Sequence, residues 1–280
     1  MKIIHIAFGA ALLTAAMMTP SLANTYHTSG DVTVFDSNGT QTFLAPGADL
    51  GRILSGSASA PRGNVELNDG SASANLSAPA NTLTAYLNSG REVTFSSLTN
   101  SDWFGPDNLA KRWFSEAMDA YGSTITTRYK DYLMSLGYRA PQATAAANDS
   151  NNIFNTFSSA GGFARLSDPN IAYIGESSAG VTFGLAGHSD AGNISSLLTG
   201  LYASEVVKVS LKGNTQYYYS FAQPTNSGQT SREDRVSHAG NYEFFIADPV
   251  EPESVPEPTT LLGLLALGGW AVSRRKATVK

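Results

Sequence analysis

The chain has 280 residues, 42% hydrophobic and 15% charged, with a net charge of −5. That charged fraction is below the roughly 25% of an average soluble domain, and 33 serines and 26 glycines fill the difference. So much apolar content excludes a charged disordered tail, the acidic balance excludes the basic face that nucleic acid needs, and the lack of cysteine excludes disulfides and thiolate chemistry.

The first 23 residues read as a secretory signal peptide. Lys2 is the positive start, an apolar run follows from Ile3 to Met18, and Pro20 ends any helix. Ser21-Leu22-Ala23 offers the small residues that signal peptidase requires, so cleavage is expected between Ala23 and Asn24.

From 24 to 101 the pattern is that of strands. Val32–Phe35 meets the turn Asp36-Ser-Asn-Gly39 before Thr40–Leu44. Leu83–Leu87 and Glu92–Phe95 flank Asn88–Arg91, a second hairpin. Between them, residues 55–80 are mostly Ser, Ala, Gly and Asn, and predict loops around one short strand, Asn64–Leu67.

From 102 to 160 the period becomes helical. Leu109, Ala110, Trp113, Phe114, Ala117, Met118 and Tyr121 share one stripe. Pro106 suits the helix start and Gly122 its stop. A second helix is expected over Ser123–Leu136, a flexible polar connection over Ala143–Asn152 and a short helix over Asn152–Ser159. Beyond 161, strand signals return at Ile171–Ile174, Val181–Leu185, Glu205–Leu211, Gln216–Phe221 and Asn241–Ile246, with a hairpin turn at Lys212-Gly213-Asn214. Runs of strands without regular helices between them predict an α+β, β-rich fold, with an antiparallel sandwich or barrel-like body and one helical insertion.

The far end has three parts. An acidic, proline-rich linker at 249–254 cannot form a helix. Val255, Pro256, Glu257 and Pro258 then precede an apolar helix at 259–273, and Arg274, Arg275 and Lys276 follow it. At 1.5 Å per residue, 15 residues span about 22 Å, short of the roughly 30 Å hydrocarbon core, though a thinned bilayer or snorkelling flanks permit a crossing. The basic cluster predicts a cytoplasmic C-terminus.

Pro256-Glu257-Pro258, the Leu/Gly-rich segment Leu261–Val272 and Arg274-Arg275-Lys276 resemble, in order and spacing, the PEP-CTERM sorting signal of exported bacterial proteins. The resemblance implies an exosortase-type membrane protease as partner, transient anchorage in the inner membrane, removal of the tail, and a place at the cell surface or in an exopolysaccharide biofilm matrix. It covers the C-terminal 26 residues and is silent about the rest. The segment Phe163–Tyr173 also looks like passengers of a cyanobacterial PEP-CTERM group of unknown function.

The body has few chemical candidates. It carries 13 Lys and Arg against 22 Asp and Glu over 24–254, which suits a domain kept soluble outside the cell by charge. Gly175-Glu-Ser177-Ser-Ala-Gly180 resembles an esterase nucleophile elbow, with Asp234 and His238 following in the right order. Ala179 stands where the elbow wants glycine, however, and Val181-Thr-Phe183 reads as strand, so a hairpin turn is the simpler reading. His27, His188 and His238 show no zinc-protease spacing. His188-Ser-Asp190 is half of an acid–base or metal site, or a hydrogen-bonded loop histidine. Asp36–Gly39, Asn148–Asn152 and Asp168-Pro-Asn170 offer oxygen ligands for calcium, or Asx turns.

Trp103, Phe104, Trp113, Phe114 and Tyr217-Tyr218-Tyr219 are core packing or sugar-stacking rings. In the tyrosine strand, Tyr218 must face away from the other two. Asp107, Glu116, Asp119 and Asp131 are expected on solvated helix faces. The domain plan is a signal peptide (1–23), an exported body (24–248), a linker (249–254) and a sorting tail (255–280). The function expected is a non-enzymatic structural or binding role at the surface or in the matrix, with extracellular polysaccharide as a candidate partner; the alternative is a secreted hydrolase of surface polysaccharide or ester bonds.

Overall fold

A computed structural model describes residues 24–68, 73–193 and 196–248. The first half contributes strands β1 (Thr25–Ser29), β2 (Thr33–Ser37), β3 (Gln41–Leu44), β4 (Gly63–Glu66), β5 (Thr82–Tyr86) and β6 (Glu92–Ser96), with a one-turn helix α1 (Leu50–Ile53) between β3 and β4. Helices α2 (Asn100–Phe104), α3 (Leu109–Ser135), α4 (Ala140–Ala147) and α5 (Ser150–Ser159) follow. Strands β7 (Asn170–Ser177), β8 (Gly180–Gly187), β9 (Val207–Leu211), β10 (Asn214–Tyr218), β11 (Thr225–Asn226), β12 (Thr230–Ser231) and β13 (Gly240–Ala247) complete the body.

The strands form two sheets. One has the order β1-β5-β6-β9-β10, antiparallel throughout. The other has the order β11-β13-β8-β7-β4-β2-β3-β12, and only its short β12–β3 pair is parallel. In β5, β6 and β9 the buried positions alternate, with Leu83 and Ala85, Val93 and Phe95, and Val207, Val209 and Leu211 on one face. Those side chains share one core with Val65, Ile171, Phe183, Leu185 and Ile246 of the larger sheet.

Turn chemistry sets the registers. Lys212 (φ 51) and Gly213 (φ 78) form a two-residue turn with both φ positive, which matches the strand twist and pairs Leu211 with Asn214. Asn38 Oδ1 accepts from the backbone N–H of Thr40 (3.0 Å) and Gln41 (2.8 Å), closing the β2–β3 hairpin.

A second core belongs to the helical insertion. Leu109, Ala110, Trp113, Ala117, Ile125, Tyr129 and Leu133 form the buried stripe of α3, and Ile153 and Phe157 of α5 pack against it. The predicted β-rich body and helical insertion are both present. Three boundaries differ from expectation. Gly122 does not stop a helix: α3 runs through it for 27 residues, because a glycine inside a long stripe costs only about 1 kcal/mol while the apolar period continues on the same face. Residues 143–147 of the expected flexible connection instead belong to α4, whose alanines have the highest helix propensity and whose Pro141 sits in the first turn. Pro106 and Asp107 lie in the loop between α2 and α3, not on a helix. The sequence pattern also missed β1, α1 and α2.

Among the described residues no helix is long and apolar enough to cross a membrane. The expected signal peptide at 1–23, the linker at 249–254 and the apolar segment at 259–273 lie outside the described residues.

Candidate functional site

The tyrosine strand faces two ways, as its period requires. Tyr218 packs into the sheet core, edge-on to Phe183 (5.5 Å between centroids) and Phe244 (6.0 Å). Tyr217 and Tyr219 pack instead toward the helical core. β10 is the edge of its sheet, and Arg112 of α3 lies over its Tyr217 ring. There Asp107, Arg112, Glu116 and residues 215–219 line an open groove of about 590 Å³.

The rings are held by charge. Asp102 of α2 is buried, and its Oδ1 accepts from Lys208 Nζ (2.9 Å) and from the Tyr217 hydroxyl (2.8 Å). Burial works against its negative charge, but the hydrogen bonds from Lys208, Thr99 and Tyr217 outweigh it and hold the carboxyl below its usual range. The Arg112 guanidinium lies 5.9 Å from the Tyr217 ring centroid. Arg112 and Glu116 are one turn apart on α3 beside Tyr219; burial and the neighbouring Glu116 carboxylate push that phenol up to about 12. The groove thus offers two fixed, half-exposed rings, two exposed carboxylates and one guanidinium. Spacing alone placed Tyr217 and Tyr219 on a face opposite Tyr218; Asp102 and Arg112 were not singled out, although the Arg112/Glu116 separation of four was available as a signal.

A second cluster gathers histidines. His238 lies in the left-handed region (φ 64), its Nδ1 is 2.6 Å from Thr42 Oγ1, and its ring meets Phe35 edge-on at 4.9 Å. Burial lowers it to about 4, so it is neutral at pH 7. Burial also lowers His188, against the opposing pull of Asp234 and a hydrogen bond with the Val236 backbone. Asp234 is held low because hydrogen bonds from Ser237 and the Val236 N–H overcome its burial. The structure therefore does bring His188, His238 and Asp234 near one another. Ser177 is not paired with them. Its Oγ accepts from Ala179 N (3.2 Å) and reaches Gly180 O (3.5 Å) within the β7–β8 turn, where Ser177 pairs with Gly180. The elbow resemblance is thereby corrected: strand, two-residue turn and strand replace the strand–turn–helix that the nucleophile needs.

The three oxygen-rich loops also separate. Asp36 forms an ion pair with Arg52 and accepts from Ser37 N. Asp149 caps α5 through Asn151 N (2.9 Å). Asp168 and Asn170 are both buried, and each keeps an oxygen, Oδ1, without a partner. In the His188-Ser-Asp190 loop, Asp190 Oδ1 accepts from Gly192 N (2.7 Å) and Gly200 N (2.6 Å), so it shapes that loop. Asp107, Glu116, Asp119 and Asp131 are exposed as expected.

The chain carries a PEP-CTERM protein-sorting motif at residues 254–277. It contains all seven expected sorting residues, Val255, Pro256, Glu257, Pro258, Arg274, Arg275 and Lys276, which lie outside the described residues. The motif supports export through a membrane-anchored intermediate and processing by an exosortase, a membrane protease. No curated protein and no solved structure matches the chain. Of the expected cleavage pair, Ala23 lies outside the described residues; Asn24 is tied to the body by its Oδ1, which accepts from Asn88 N (3.0 Å).

Proposed function

We propose that this is an exported, exosortase-sorted protein of the cell surface or extracellular matrix, and that its body has a non-enzymatic role in binding neutral carbohydrate. The groove between α3 and β10 carries the reading: Tyr217 and Tyr219 are held rigidly beside Asp107, Glu116 and Arg112. Sugar rings stack their C–H faces on aromatics, and their hydroxyls both donate to carboxylates and accept from guanidinium. The excess of acids in the body disfavours anionic polymers. The Ser177 turn lends no support to the hydrolase alternative, since its hydroxyl is engaged within its own hairpin.

The test is titration of the purified protein with neutral and with acidic oligosaccharides, followed by calorimetry. Binding of neutral sugars that weakens about tenfold in Tyr219→Ala, with the fold intact, is the expected outcome; one stacked ring contributes on the order of 1 kcal/mol or more. Indifference to Tyr219→Ala, or the appearance of shortened glycan products, would overturn the reading.

A further inference from the structure

Beyond the groove, a partly buried acidic cluster forms where β4 meets β7. Glu66 and Asn170 are register partners across those strands. Asp168 sits two residues before Asn170, and Glu205 reaches in from the segment preceding β9. The Glu205 carboxylate accepts from Asn170 N (3.0 Å) and Asn170 Nδ2 (3.4 Å) through one oxygen, Oε2. Asp168 Oδ2 accepts from Asn68 Nδ2 (3.0 Å). The backbone around the cluster is pinned from several sides, with Leu67 N bonded to Pro169 O (3.1 Å), Leu98 N to Ser167 O (3.0 Å) and Val206 N to Leu166 O (2.8 Å).

This arrangement is costly as it stands. Asp168 and Asn170 are 5% and 6% exposed, and the Oδ1 atom of each has no partner. A buried acceptor left unsatisfied costs about 1–3 kcal/mol, and more when charged. The Asn170 amide donates to Glu205 through its nitrogen and leaves its own oxygen without a partner. Burial, then the Asp168 charge, then the Glu66 charge push the Glu205 carboxyl up; burial pushes Asp168 up as well, against the nearby Arg165. A buried carboxylate oxygen and a buried amide oxygen without donors, beside a second carboxylate, are the complement of a hard cation.

We propose that Asp168, Glu205 and Asn170 bind a divalent cation of the calcium type. Among the described residues no three of His, Cys, Asp or Glu converge as a metal site. The donor set is therefore two carboxylates completed by the Asn170 amide oxygen and by water or main-chain oxygens, a mixture that calcium accepts with its six to eight oxygen ligands. Asn68, which touches Asp168, also lines a neighbouring cavity of about 580 Å³ together with Asp31 and Asn81. An exported protein works where calcium is plentiful, so a weak site is adequate there. Bound to the folded state alone, the ion would tie the loop at 165–170 to the strand start at 205–207.

The test uses the purified full chain stripped with a chelator, then titrated with calcium or magnesium chloride and followed by melting temperature and calorimetry. The expected result is one calcium per chain and a rise in Tm of about 5–10 °C at a hundredfold excess over Kd. Asp168→Asn and Glu205→Gln should each weaken calcium binding at least about tenfold and raise the metal-free Tm, because each relieves repulsion between neighbouring carboxylates. Asp119→Asn, on an exposed helix face, should leave the response intact. No heat and no shift with calcium up to about 10 mM would overturn the proposal, as would a calcium response that survives both substitutions. Neither result depends on whether the α3–β10 groove binds sugar.

Discussion

The helical insertion and the sheets fill their interiors by different rules. Helices α3, α4 and α5 bury only apolar and aromatic residues, whereas each fully buried polar or charged residue described lies on a strand, on α2 or in a loop. The reason is in the backbone. A helix satisfies its own N–H and C=O groups, so its buried stripe needs no polar side chain. Where strands end, main-chain groups are left without partners and side chains must reach them. Gln229 Nε2 donates to Pro61 O (2.6 Å), Asn241 Nδ2 to Ala58 O (2.7 Å), Asn81 Nδ2 to Leu67 O (3.0 Å) and Ser227 Oγ to His238 O (2.6 Å). The helical core gains its definition from ring geometry. Phe163 lies within 6.1 Å, centroid to centroid, of Trp103, Phe104, Trp113, Phe154 and Phe157.

That contrast is most exposed to test at Phe163, which follows α5 and closes the insertion. Phe163→Ala should cost about 4 kcal/mol, the middle of the range for a buried aromatic. Five neighbouring rings lose a partner, so near-ultraviolet circular dichroism should collapse while the far-ultraviolet sheet signal persists. Equal loss of both signals would show that the sheets depend on the helical core and that the two interiors are one.

The next largest effect belongs to the sheet side. His238 titrates at about 4 in the folded chain, against an ordinary 6.5, with Asp234 and His188 as its charged neighbours and Phe35 and Thr42 packed on it. Above pH 6.5 neither state holds the proton, and the burial is harmless. As pH falls from 6.5 to 4, only the unfolded chain gains the proton, so about 3 kcal/mol of stability is lost across that window. Urea midpoints of the wild type and of His238→Asn, a residue that tolerates the left-handed backbone, should diverge by that amount below pH 6.5. Parallel curves would mean that the imidazole is not buried neutral.

Legibility in the sequence followed the same divide. Hairpins were readable because turn residues and a period of two mark both ends: Lys212-Gly213 and Asp36–Gly39 fixed two of them. The helical period revealed the face of α3 but not its length, since Gly122 and the alanines of 140–147 carry no boundary that a stripe can show. The sorting tail was readable because its three parts are contiguous. The acidic cluster was half readable. Asp168 and Asn170 stood out as a pair, but Glu66 arrives from β4 and Glu205 from the segment before β9, and only the fold brings them together. The groove was similar, for Tyr217 and Tyr219 were visible while Asp102 is contributed by α2, a helix too short to give a period.

The smallest effect separates the two readings of the insertion most sharply. If Gly122 ended one helix before another began, it would occupy a left-handed position, and Ala there would be strained and destabilising. In the single helix α3 it has helical neighbours on both sides, and an added Cβ would lie 3.6 Å from Met118 Cε, an ordinary contact. Ala then removes backbone freedom from the unfolded chain and clashes with nothing. Gly122→Ala should therefore stabilise the protein by about 0.5–1 kcal/mol, a rise of roughly 1–4 °C in Tm for a body of this size. The sign carries the decision: a fall in Tm would mean that the chain breaks at Gly122, and a rise fixes α3 as one continuous rod along which the ring cluster and the groove share a single support.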